Sequence, residues 1–257
     1  KSSAYLAAGE PQRALRCLDR VIQIDPYDAD AWRLRGDVLA TSNQNEEALR
    51  SYDEALRQRD GDAIAWESRA KLLHKVGRNV DAVAAYDRAV ALTPKAFAPH
   101  VGRLEALRAL ARWDDVLKEA SKVVSLDPRH AGALYAKAHA FAQLNRREEA
   151  VTALDAFLAV EPRSYDGLDA KRQLLLASER WSELVATCDA ILAIQPHHPR
   201  ALKDKGRALL ALGKAEEAHA TFERLRVVAP DDLDALRGQR DALRHTKSAK
   251  ILLRVCA

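Results

Sequence analysis

The chain has 257 residues, with 41 Lys and Arg against 37 Asp and Glu, a formal net charge of +4 and a pI near 9.0. Hydrophobic residues make up 48% and charged residues 30%, and no run approaches the roughly 20 apolar residues that would span a bilayer, which excludes an inserted helix. Cys17, Cys188 and Cys256 share no CxxC spacing, so buried free thiols and a cytoplasmic location are expected; the absence of an N-x-S/T site agrees.

Proline recurs at one interval: Pro26, Pro94, Pro128, Pro162, Pro196 and Pro230 stand 34 residues apart, or twice that where Asp60 fills the slot. A period of that length marks a stack of helical hairpins. With each proline counted as repeat position 32, the units in chain order are 1–28, 29–62, 63–96, 97–130, 131–164, 165–198, 199–232 and 233–257. The first unit lacks the start of its first helix, the chain opens with Lys1 and contains no Met, so a fragment of a longer protein is expected. The last unit is degenerate, either a capping helix or an interrupted repeat. Ile251, Leu252, Leu253 and Val255 keep part of it apolar.

Within each unit the apolar residues fall at helical spacing. Gly9, Asn43, Gly77, Asn145 and Gly213 near position 15 permit a turn between two helices, and the proline ends the second. Small residues at positions 8 and 20, among them Gly36, Gly206, Ala48 and Ala82, let the paired helices approach. The rings of Tyr52, Tyr86 and Phe222 at position 24 fill the space that remains. Repeats 4 and 6 depart together: they carry Trp113 and Trp181 at position 17, enlarge position 20 to Val116 and Leu184, and shrink position 24 to Ala120 and Cys188. Side-chain volume is moved along the helix, as close packing requires, and all four tryptophans are read as core.

Position 7 is basic in seven units (Lys1, Arg35, Arg69, Arg103, Lys137, Lys171, Lys205), and position 25 is acidic in six of seven (Asp19, Asp53, Asp87, Asp155, Asp189 and Glu223, with Ser121 the exception). At roughly 100° per residue, position 7 lies almost opposite the first-helix face of positions 2, 5, 9, 12 and 13. Each base is therefore expected to pair with a position 25 acid, that of the preceding repeat, rather than to form a phosphate-binding stripe.

These residues together resemble the tetratricopeptide repeat family. The resemblance covers essentially the whole chain and rests on Trp32 and Trp66 at position 4, Gly36 and Gly206 at position 8, Ala14, Ala48, Ala82, Ala150 and Ala218 at position 20, the position 24 rings, and Ala55 and Ala89 at position 27. It implies an all-α, right-handed superhelical solenoid of antiparallel helix pairs, a single array over 1–257 of about seven repeats plus the degenerate terminal unit. It also implies a concave groove, lined by the first helices, that holds a partner peptide or helix.

Read from the register, that groove presents Arg33 and Asp37, then Glu67, Lys71 and His74, then Val101, Glu105 and Arg108. Tyr135 and His139 follow, with Gly102, Gly132, Ala136 and Ala142 as small neighbours expected to leave them open, and then Asp169 and Gln173. Arg200, Lys203, Arg207, Arg237, Asp241 and Arg244 close the series. Arg33 with Asp37 and Glu67 with Lys71 are i,i+4 pairs of opposite sign that satisfy each other. Residues 199–257 hold 13 Lys or Arg against 8 Asp or Glu, a net of +5, while the rest of the chain sums to −1, which favours an acidic segment towards that end.

The chaperone-tail clamp of the resembled family is not matched. Positions 5 and 9 read Arg33 and Asp37, then Glu67 and Lys71, and position 6 reads Leu34, Ser68, Gly102, Ala136, Ala170 and Asp204 in place of asparagine. No phosphate-cradling loop, HExxH or nucleophile elbow is present, and the adjacent His197 and His198 read as a surface turn beside Pro196 and Pro199. No catalytic residue, metal or cofactor is expected. The function these observations imply is a non-catalytic scaffold or adaptor for protein binding, its oligomeric state open. Alternatives are an RNA-binding α-solenoid, favoured by the pI, or the regulatory or targeting arm of a larger enzyme. Nucleic acid is disfavoured, because the period is 34 and no base-reading pair recurs.

Overall fold

The computed structural model describes residues 10–245. The expectations for Lys1, Gly9, Cys256 and the apolar residues Ile251, Leu252, Leu253 and Val255 lie outside the described residues. Among those described the chain is all-α, with fourteen helices and no strand. In order they are α1 Pro11–Ile24, α2 Ala29–Thr41, α3 Asn45–Gln58, α4 Ala63–Lys75, α5 Asn79–Leu92, α6 Phe97–Ala109, α7 Trp113–Leu126, α8 Ala131–Gln143, α9 Arg147–Val160, α10 Tyr165–Ala177, α11 Trp181–Ile194, α12 Pro199–Ala211, α13 Ala215–Val228 and α14 Leu233–His245. Even-numbered helices lead each sequence repeat and odd-numbered helices trail.

Residue 15 of each repeat explains where the leading helices stop. Asn43, Ala111, Asn145 and Glu179 sit at φ between 52° and 58°, and Gly77 and Gly213 at 80° and 73°. The left-handed residue lets the next amide reach back to the last turn: Gln44 N to Leu39 O at 2.9 Å, Arg146 N to Phe141 O at 2.8 Å, and Lys214 N to Leu209 O at 2.9 Å. Repeats 4 and 6 use Ala111 and Glu179 here, residues that pay a steric cost for this conformation that glycine does not.

Leading helices start at residue 34 of the repeat before. Asp28 accepts from Ala31 N and Asp62 from Ala65 N, both at 3.0 Å, Ser164 accepts from Gly167 N at 3.3 Å and Asp232 from Asp234 N at 2.8 Å. Histidines fill this position after the two variant repeats. His130 Nδ1 accepts from Ala133 N at 3.0 Å and His198 Nδ1 from Ala201 N at 3.1 Å. His198 is thus a helix cap rather than a mere surface turn, and its Nε2 meets the Tyr165 hydroxyl at 2.8 Å.

The chain forms two compact units, whose described parts are residues 10–136 and 137–245. In the first, each helix from α1 to α7 packs on the next, and α4 also packs on α2 and α6. In the second, the same serial packing runs from α9 to α14, with α12 on α14. Rings set the spacing. A Cβ on Gly36 would lie 2.6 Å from the Tyr52 ring, one on Gly102 2.3 Å from Tyr86, and one on Gly206 2.6 Å from Phe222. Where position 24 shrinks, other side chains fill the space: Leu104 and Val116 are fully buried in repeat 4, and Leu184 lies beside the buried Cys188 in repeat 6. The tryptophans are only half-buried, short of the full core burial expected. Trp32 and Trp66 turn their indole N–H to Pro26 O and Asp60 O at 2.9 and 2.8 Å, so the wide ring also ties down the preceding loop.

Candidate partner-binding surface

Assignment of the charged side chains to partners decides which surface is left for binding. Five of the position 7 bases pair as the sequence indicates, each with the acid sixteen residues earlier; Lys137 has Ser121 at that place. Arg35 reaches Asp19 at 2.9 Å, Arg69 reaches Asp53 and Arg103 reaches Asp87 at 2.7 Å, and Lys171 reaches Asp155 and Lys205 reaches Asp189 at 2.5 Å. The Arg35 and Arg69 guanidinium groups stand near Trp32 and Trp66, 6.0 and 5.9 Å from the ring centroids.

Two rungs hold buried charge that sequence reasoning did not locate. His100 occupies the tryptophan position of repeat 4 and copies its bond, with Nε2 3.0 Å from Pro94 O. Its Nδ1 lies 2.7 Å from Glu119, which Arg103 also grips, and both His100 and Glu119 are buried. In repeat 6, Arg172 stands where repeats 2 and 7 place Gly36 and Gly206. It occupies space beside Cys188 and bonds Asp204 of the next repeat as well as Asp169. Burial drives the Cys188 thiol up to about 12, which favours the protonated sulfur. Among the described residues no group of three or more His, Cys, Asp and Glu is placed to hold a metal ion.

On the leading helices of the first unit the expected pairs form: Arg33 with Asp37 at 3.3 Å and Glu67 with Lys71 at 2.5 Å. Arg33 also approaches Asp62 at 3.8 Å, His74 Nδ1 meets Asn79 Oδ1 at 2.6 Å, and Glu105 holds Arg108 at 3.1 Å. Val101 and Tyr135 are half-buried. Gly102 is small to admit the Tyr86 ring, not to open the surface around Tyr135 as the sequence suggested. One recess in this unit lies elsewhere, a cavity of about 370 Å³ between α2 and α4, lined by Tyr52, Asp37, Ala40, Thr41 and Leu72. The Tyr52 hydroxyl donates to Asp37 at 2.8 Å; burial, then the Asp37 charge, push this phenol well above its usual range.

In the second unit His139 is half-buried, its Nε2 3.5 Å from the Gln143 amide nitrogen. Asp169 bonds Arg172 and Gln173. Burial pushes its carboxyl up, but those two donors outweigh it and hold the group below the usual carboxylate range. Lys203 pairs with Asp234 and lies 3.5 Å from Asp232, and the hydrogen bond from Lys203 keeps Asp234 ionised below its ordinary range. Arg200, Arg207, Arg237 and Arg244 are exposed, Arg237 lying 3.9 Å from Asp234 and Arg244 3.9 Å from Asp241. No described helix is long and apolar enough to cross a membrane.

Serial helix pairs with left-handed turn residues, ring-on-glycine contacts and an unbroken period define a helical-repeat scaffold. The chain belongs to the tetratricopeptide repeat family, whose models match residues 1–62, 40–97, 131–164 and 171–240. Among solved structures it is similar to YrrB, described as "a TPR protein with an unusual peptide-binding site", at 18% identity over 74% of this chain and 97% of that one, with a TM-score of 0.59. It is also similar to a chain of the Naa15/Naa10 complex bound to HypK-THB, at 16% identity and TM-score 0.70, over 94% of this chain but 38% of that one. A tetratricopeptide repeat protein from Parabacteroides merdae matches at 15% identity and TM-score 0.59, over 94% of this chain and 96% of that one. These likenesses show the fold alone. No curated protein matches the chain.

Proposed function

We propose that the protein is a non-catalytic scaffold that holds a segment of a partner protein on the faces of its leading helices. The observation that carries the reading is the division of charge. Bases on the trailing-helix side are paired with carboxylates in five rungs, whereas Arg200, Arg207, Arg237 and Arg244 remain exposed on the leading helices α12 and α14. Repeat scaffolds use such rows because each unit adds another set of side chains at a fixed offset. A peptide-binding site is named for the similar YrrB, which supports the same use of the fold here. In the second unit the exposed arginines favour an acidic segment, since a row of like charge both attracts and orients an oppositely charged chain. The paired rungs weigh against a phosphate-binding stripe along position 7, since five of its bases already hold carboxylates.

The test is affinity capture with the intact chain, wild type against a form carrying Tyr135→Ala, His139→Ala and Arg207→Ala, with nuclease in a parallel arm and mass spectrometry as readout. Proteins lost from the variant and retained after nuclease support the proposal. Equal recovery by both forms refutes the choice of residues, and recovery abolished by nuclease would transfer the function to RNA.

A further inference from the structure

The cavity between α2 and α4 is chemically lopsided. Tyr52, Ala40, Leu72 and Thr41 line it together with Asp37 and Ser68, and its volume of about 370 Å³ is that of a small-ligand site. The Tyr52 hydroxyl that reaches it already donates to Asp37 at 2.8 Å. A polar occupant would gain little inside. This repeat carries the small Ala40, as repeat 5 carries Ala142, where the repeats from 29–62 onwards otherwise carry His74, Arg108, Leu176, Leu210 or Arg244, and Ser68 also lines the recess.

The mouth is cationic. Lys71 and Lys75 stand one turn apart on α4 at its edge, both exposed. Lys71 is matched by Glu67 at 2.5 Å, whereas Lys75 Nζ reaches a neutral group, Asn43 Oδ1, at 2.8 Å, so that contact leaves its charge uncompensated. Asp37, the carboxylate in the lining, is taken up by Arg33 at 3.3 Å, which leaves the Lys75 ammonium to favour a carboxylate beside an apolar body.

We infer that this recess takes one bulky apolar side chain of a partner segment that carries an Asp or Glu within two residues, the apolar group resting on the Tyr52 ring and the carboxylate on Lys75. The inference rests on the scaffold reading above and specifies what the first unit selects. Burial of the apolar side chain supplies affinity, and the lysine supplies the preference for an acidic neighbour.

The experiment is selection of a displayed random-peptide library on the intact protein, followed by fluorescence anisotropy of the selected peptides. The proteins compared are wild type, Ala40→Leu, which fills the recess, Lys75→Glu, which reverses the mouth, and Arg237→Glu in the second unit. Selected peptides should pair Leu, Ile, Met or Phe with a nearby Asp or Glu, and should bind Ala40→Leu and Lys75→Glu about tenfold more weakly while ignoring Arg237→Glu. Lys75→Glu alters an exposed side chain and keeps the test valid should Ala40→Leu perturb folding. Peptides that bind both recess variants like wild type overturn this inference and leave the scaffold reading standing, as do apolar peptides without an acidic residue. Recovery of no peptide at all counts against both.

Discussion

Ala111 and Glu179 hold backbone angles that Asn and Gly hold in the other repeats, at φ 52° and 53°. A left-handed residue with a Cβ costs roughly 1–2 kcal/mol, and a glycine there gives back about 0.4–1 kcal/mol through greater freedom of the unfolded chain. Ala111→Gly and Glu179→Gly should therefore each stabilise the protein, by about 0.5–1 kcal/mol net. Urea titration followed by circular dichroism measures this, and a lowered midpoint in either variant would contradict the account. The sequence concealed these two sites because the register fixes where the turn falls but not that Ala and Glu would tolerate it. It concealed His130 and His198 for a different reason: an adjacent pair such as His197 and His198 suggests a ligand set or a loop, and nothing in spacing says that one imidazole faces a helix amide.

Elements join through two kinds of charge, and they should fail differently. An exposed rung such as Arg69 with Asp53 contributes no more than about 1 kcal/mol, whereas Arg172 and Asp204 are both buried. Arg172→Met alone should cost about 3–5 kcal/mol because it strands the Asp204 carboxylate, while Arg172→Met with Asp204→Leu should recover most of that loss. Chemical denaturation of the three proteins decides it, and additive losses would show that the pair is not the unit of stability. Caps provide a second contrast between elements. His130 and His198 cap α8 and α12 through Nδ1, which accepts from Ala133 N and Ala201 N. Asp62 caps α4 in the same way, its carboxyl held below the usual range: burial opposes this, but bonds from Arg59 and Ala65 prevail. The double variant His130→Ala, His198→Ala should lower the thermal midpoint by the equivalent of about 0.5–2 kcal/mol per cap. An unchanged midpoint in a thermal melt would show that the imidazoles do not act as caps.

At the scale of the molecule, the repeat period, the helix pairs and the base–acid rungs were all legible in the chain, because each is a property of fixed spacing. The position 7 bases could be set against position 25 acids by counting alone, and five pairs form between 2.5 and 2.9 Å. Exposure along the leading helices was less legible. Gly102 looked like an opening and is the seat of a ring, while the recess at Ala40 depends on the sizes of residues 12 positions into one repeat and six into the next. Volume left over between helices is a sum of many side chains, and no single position announces it.

The rung between Arg103 and Asp87 has a consequence for how such a chain can be shortened. Excising residues 63–96 removes 34 positions and brings Asp53 to the place Asp87 now occupies before Arg103, with Asp60 O offered to His100, Asp62 offered as the cap of Phe97–Ala109, and the Tyr52 ring facing Gly102. Every joint finds a fitting counterpart, so the abridged protein should melt as a cooperative helical fold, whereas a cut a few residues longer or shorter would misalign all four at once. Splicing tolerance in this chain is thereby quantised, open to whole modules and closed to anything between.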